Sequence, residues 1–89
     1  MGKRMPLYED ATGICVTYVL ADDKSHIEFY AEVPTENGFD VGSFRYPEDR
    51  FHDINMSVAN MRLFQDTIEK CRLIIKDIWD LDCKDARAV

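Results

Sequence analysis

Apolar residues recur at steps of three and four over 57–82, and this run predicts one long helix. Met61, Phe64, Ile68, Cys71, Ile75 and Ile78 form its main stripe. A second stripe, Leu63, Ile74 and Leu81, lies about 100° around at 100° per residue, and Trp79 falls near the other margin of the first. The apolar arc is then roughly 160° wide, against the ~100° that one sheet contact needs. Ser57 is the N-cap candidate, because its hydroxyl can accept from an orphan backbone N–H of the first turn.

Upstream the period changes from 3.6 to two. Residues 13–21 are rich in β-branched and aromatic side chains and predict a first strand. Residues 26–33 predict a second, in which Ile27, Phe29, Ala31 and Val33 alternate with His26, Glu28, Tyr30 and Glu32. Residues 39–46 predict a third, with Gly42-Ser43 as a candidate bulge. The polar run 22–25 predicts the first turn, and Asn37-Gly38 predicts the second, since both residues tolerate positive φ.

These turns set a register. The first places Leu20 opposite Ile27, Tyr18 opposite Phe29 and Val16 opposite Ala31. The second places Phe44 opposite Ala31 and Tyr46 opposite Phe29. All three strands then turn their apolar residues to one face, which is the consistency a real register requires. The other face is mixed, with Arg45 near Tyr30 and Glu32.

The expected fold is α+β: a single domain over 1–89 with a three-stranded antiparallel β-sheet (β-β-β-α), packed on one face by a long C-terminal α-helix. Residues 1–10 are expected to be a flexible lead-in, 47–56 a crossing segment and 83–89 a flexible tail. Such a helix would run about 38 Å, against about 27 Å for an eight-residue strand. It has more length and more apolar surface than the expected sheet can cover. The third strand would be an exposed edge, open to pairing with another chain.

Composition narrows the class. A chain of 89 residues supplies one modest core, so association with a partner is a natural way to bury more surface. No apolar run is long enough to cross a bilayer, and the first residues lack a signal-peptide core, so a cytoplasmic location is expected. Cys15, Cys71 and Cys83 have no disulfide or metal-site spacing, and Cys71 is expected in the core.

The net charge of −6 is unevenly placed. Residues 1–53 hold eleven acids and five bases, while 54–89 hold six of each. Direct nucleic-acid binding is disfavoured, because it needs a basic footprint. The chemical complement of this surface is a basic protein.

Three candidate sites follow. Leu63, Ile74, Trp79 and Leu81 are candidates for a partner or homodimer interface on the helix. Asp22, Asp23, Glu28, Glu32, Glu36 and Asp40 form a candidate acidic surface around one sheet face and its hairpin tips. His26, Tyr30 and Arg45 are a weaker candidate for a small-molecule site on the outer sheet face. No phosphate loop, nucleophile motif or metal-ligand spacing is present, so no catalysis, cofactor or metal is expected.

The leading expectation is a non-enzymatic interaction module. It would act as an inhibitor, antitoxin-like, immunity-like or phage-type factor against a basic, nucleic-acid-handling protein. The alternatives are a homodimeric structural or regulatory domain and a small-molecule binder.

Overall fold

The computed structural model describes residues 3–84. Five strands precede the helical region: β1 Met5–Glu9, β2 Cys15–Leu20, β3 Ile27–Thr35, β4 Gly38–Tyr46 and β5 Arg50–Asn55. They form one antiparallel meander in the order β1-β2-β3-β4-β5. Two helices follow, α1 Val58–Lys70 and α2 Arg72–Trp79, and then a π-helical turn over Asp80–Lys84.

This corrects the expected three-stranded sheet with one long helix. The segment expected to fray contains β1, and the segment expected to cross the sheet contains β5. The helix is interrupted at Cys71, whose φ of −95° and ψ of 3° leave the helical region. Its N–H is shared between the Thr67 and Ile68 carbonyls, each at 3.1 Å. One turn earlier the buried Thr67 hydroxyl donates to the Leu63 carbonyl at 2.8 Å. A hydroxyl bonded back in this way loosens the local ladder and bends a helix.

The β2–β3 pairs match the expected register: Leu20 faces Ile27, Tyr18 faces Phe29 and Val16 faces Ala31. The next hairpin turns one residue earlier than expected. Thr35 pairs with Gly38, so Glu36 and Asn37 form the loop, and Gly38 takes the positive φ of 135°. Phe44 therefore faces Phe29, and Tyr46 faces Ile27. The shift is two residues, so each side chain keeps its face.

The inner face carries the core. Ile14, Val16, Ile27, Phe29, Ala31, Val33 and Phe44 from the sheet side meet Phe64, Ile68, Cys71 and Ile75 from the helices. Cys83 closes it from the π-helical turn and is fully buried. Burial pushes the Cys71 thiol pKa up. Rings link sheet to helix, with Phe44 to Phe51 at 4.7 Å and Phe51 to Phe64 at 5.1 Å.

Gly42 leaves room for this junction. A β-carbon there would lie 2.8 Å from the Ile54 methyl and 3.3 Å from both Met56 Sδ and Phe64.

Two bulges shape the sheet edges. In β1, Leu7 is extra between the Pro6–Thr17 and Tyr8–Val16 pairs, so Leu7 and Tyr8 both reach the core. In β5, Asp53 and Ile54 lie opposite Gly42 alone, and Asp53 has a φ of 51°. The strand expected as an open edge, now β4, is internal. The true edges are blunted by Pro6 and by these bulges.

Ser57 caps α1 as expected, its Oγ accepting from the Asn60 N–H at 3.2 Å. Asp40 of β4 adds a second cap. Its carboxylate accepts from the Ser57 N–H at 2.9 Å and from Asn60 Nδ2 at 2.8 Å. Those two bonds hold the Asp40 carboxyl below the usual carboxylate range.

Candidate functional site

The helices pack on the inner face, so chemistry has to be sought on the outer one. There the strand alternation brings together residues from three strands. Glu28 of β3 is the centre, with its side chain only 11% exposed. Its Oε2 accepts from Arg45 Nε of β4 at 2.9 Å, and its Oε1 meets His52 Nε2 of β5. His26 Nε2 stands 4.0 Å from Oε2, with its Nδ1 3.0 Å from the Ser25 hydroxyl. The other His52 nitrogen, Nδ1, meets the Asp53 carboxylate at 2.9 Å. Glu48 extends the network, 3.7 Å from both Arg45 and Arg50.

Arg45 pairs with Glu28 rather than Tyr30 or Glu32 because of the two-residue shift in the β3–β4 register. The bond from Glu28, and then its charge, raise the Arg45 pKa above its ordinary value. Each central group thus satisfies another, which is how a buried carboxylate is tolerated.

Both ring nitrogens of His52 face carboxylates, Nε2 toward Glu28 and Nδ1 toward Asp53. Ser43 lies opposite His52 in the β4–β5 register, but Nε2 of His52 is already on Glu28. Arg45 holds the carboxylate that would join His26 and His52 around a cation. Among the described residues no group of three or more His, Cys, Asp or Glu is arranged to hold a metal.

Beside the network the β5 bulge opens a cavity of about 300 Å³. Its walls include Arg4, Tyr30, Glu32, Val41, Ser43 and Asp53. Arg4 lies over the Tyr30 ring, 4.2 Å from its centroid, and Nη1 is 3.9 Å from Glu32. Val41 lines it as an exposed apolar side chain, and Phe39, two residues before it on β4, is exposed as well.

The expected outer-face triplet is therefore divided. His26 and Arg45 converge on Glu28, while Tyr30 carries Arg4 and lines the cavity. His52, Asp53 and Arg4 were missing from that triplet. Reading 50–55 as a strand would have placed Arg50 and His52 on the same face as Arg45, but nothing in the sequence signals Arg4.

The six acids do not make one continuous row. Glu28 is buried in its ion pair, Glu32 pairs with Arg4, and Asp40 caps α1. Asp23 accepts from the Ser25 N–H at 3.0 Å within the first turn, and the Ser25 bonds lower its pKa. Asp22 is exposed in that turn, and Glu36 is exposed in the next.

On the helices, Leu63 and Trp79 are half-buried against the core, with Trp79 edge-on to Tyr46 at 5.9 Å. Ile74 and Leu81 remain exposed, at 51% and 71%, and Leu73 joins them at 79%.

Fold and site together describe a five-stranded antiparallel meander backed by helices on one face, with a charged network and a cavity on the other. No family model, curated protein or solved structure matches this chain. No helix among the described residues is long and apolar enough to cross a membrane.

Proposed function

We propose that the chain is a small, acidic, non-enzymatic interaction module whose uncovered sheet face docks on a basic protein. The observation that carries this is the outer-face cavity, where Tyr30, Glu32 and Asp53 stand beside exposed Val41. Aromatic, acidic and apolar groups in one concavity suit a partner's cationic side chain with its aliphatic stem.

In its sharpest form the partner is a nucleic-acid-handling protein whose basic groove the module occludes. That is the role of an inhibitor, antitoxin-like or immunity-like factor, including one of phage type. A cytoplasmic setting accords with Cys15, Cys71 and Cys83 being thiols rather than disulfides.

Affinity capture from native lysate tests this. A basic protein is expected at low salt and is expected to be released at about 0.5 M salt, where surface charge is screened within a few Å. Recovery of the chain alone at every salt concentration would refute the proposal.

The exposure of Leu73, Ile74 and Leu81 favours a second function, a homodimeric regulatory or structural domain. Sedimentation at micromolar concentration should then show a dimer that Ile74→Glu with Leu81→Glu converts to monomer. A wild-type monomer would sink the idea.

A further inference from the structure

We infer that the outer-face cavity receives an arginine side chain of the partner protein, and that Arg4 is an internal competitor for that place. The inference rests on the basic-partner proposal above and names the partner's contact group.

Arg4 demonstrates the fit. Its guanidinium covers the Tyr30 ring at 4.2 Å while approaching Glu32 at 3.9 Å. A planar cation on an aromatic face beside a carboxylate is the arrangement that favours arginine over lysine, because guanidinium stacks and ammonium does not. Yet Arg4 is weakly held. Its side chain is 55% exposed, and a 3.9 Å approach is too long for a hydrogen bond. A ligand can therefore take its place at small cost.

The remaining walls suit the same ligand. Asp53 adds a second carboxylate, so the charged walls of the cavity sum to one cation and two anions. Without Arg4 they sum to two anions. Val41 offers an apolar surface for the aliphatic stem. The space left open beside Arg4 is about 300 Å³, at the small end of ligand sites, and displacing Arg4 adds its own volume to a place sized for a side chain rather than a whole cofactor. Its floor is rigid sheet, so little ordering is required on binding.

The test is an NMR titration of the chain with hexa-arginine and hexalysine peptides. Arg4→Ala is expected to bind hexa-arginine about two- to fivefold more tightly than wild type, the range of one exposed cation–π contact. Saturable shifts should gather at Tyr30, Val41 and Asp53. Hexalysine should bind more weakly than hexa-arginine.

In the Arg4→Ala background, Tyr30→Ala should abolish the gain. Glu32→Gln, on a side chain 44% exposed, keeps the test readable if Tyr30→Ala unfolds, and should also weaken binding. Asp22→Asn with Asp23→Asn should change affinity by less than about twofold, since that turn lies outside the cavity.

Arg4→Ala binding no tighter than wild type would overturn the inference. So would shifts confined to Asp22 and Asp23, with Tyr30 and Val41 unmoved. In either case capture of a basic protein from lysate would still stand, so the two proposals fail separately.

Discussion

Phe44→Ala is expected to cost about 3–5 kcal/mol, the range for removing a buried phenylalanine. Phe44 is fully buried on β4, an internal strand of the sheet. Its ring lies 6.0 Å from Phe29 and 4.7 Å from Phe51, and Phe51 in turn meets Phe64 of α1 at 5.1 Å. Truncation opens a cavity between β3, β5 and the helix at once, and rigid strands on both sides limit collapse. A domain of this size has about 5–10 kcal/mol of total stability. Much of it would be lost. Urea unfolding followed by Trp79 fluorescence checks this, because Trp79 packs on Tyr46 at the same interface. A loss below about 1 kcal/mol, typical of an exposed site, would contradict the placement of Phe44.

The second large effect is expected on the other face. Glu28→Ala should cost about 2–3 kcal/mol, somewhat less than the ~3–5 for breaking a fully buried pair. The discount follows from exposure, since the Arg45 and His52 side chains remain 30% and 22% exposed and water can partly replace the carboxylate. Loss of Glu28 strands Arg45 next to His52 and His26 with no central anion. Arg45→Met in the Glu28→Ala background should recover part of the loss. A thermodynamic cycle over Glu28 and Arg45 measures the coupling, and additive effects would mean the pair is not formed.

What the sequence disclosed follows from which elements are regular. β2, β3 and the first hairpin were legible because their alternation is unbroken and their turn is polar. The inner helix stripe was legible for the same reason, since Phe64, Ile68, Cys71 and Ile75 are all buried. β1 was hidden because it is short, contains Pro6, and turns Leu7 and Tyr8 inward together at a bulge. β5 was hidden because Arg50, Asp53, Ile54 and Asn55 are exposed and Asp53 breaks the period.

By its sequence the run Pro47-Glu48-Asp49 reads as part of a crossing segment. It is a hairpin loop, with Asp49 at a φ of 59° and a cis bond between Tyr46 and Pro47. The helix break at Cys71 left no trace in the pattern, because the apolar spacing continues through it.

The candidate site was half legible. Alternation alone put His26, Glu28, Tyr30 and Arg45 on one face. Which of them touch depended on a loop placed one residue off and on a strand not seen. The helix overhang was inferred from a three-stranded sheet, and two added strands change that comparison. On α2 and the turn after it the exposed apolar residues are Leu73, Ile74 and Leu81, while Leu63 and Trp79 pack on the core.

The central claim is that the uncovered sheet face, and not the helix face, meets the basic partner. Parallel capture from one lysate tests it with three baits: wild type, Glu32→Lys with Asp53→Lys, and Ile74→Glu with Leu81→Glu. Charge reversal on the sheet face is expected to lose the captured protein while the helix variant retains it. Retention by the sheet-face variant, with loss from the helix variant, would contradict that claim.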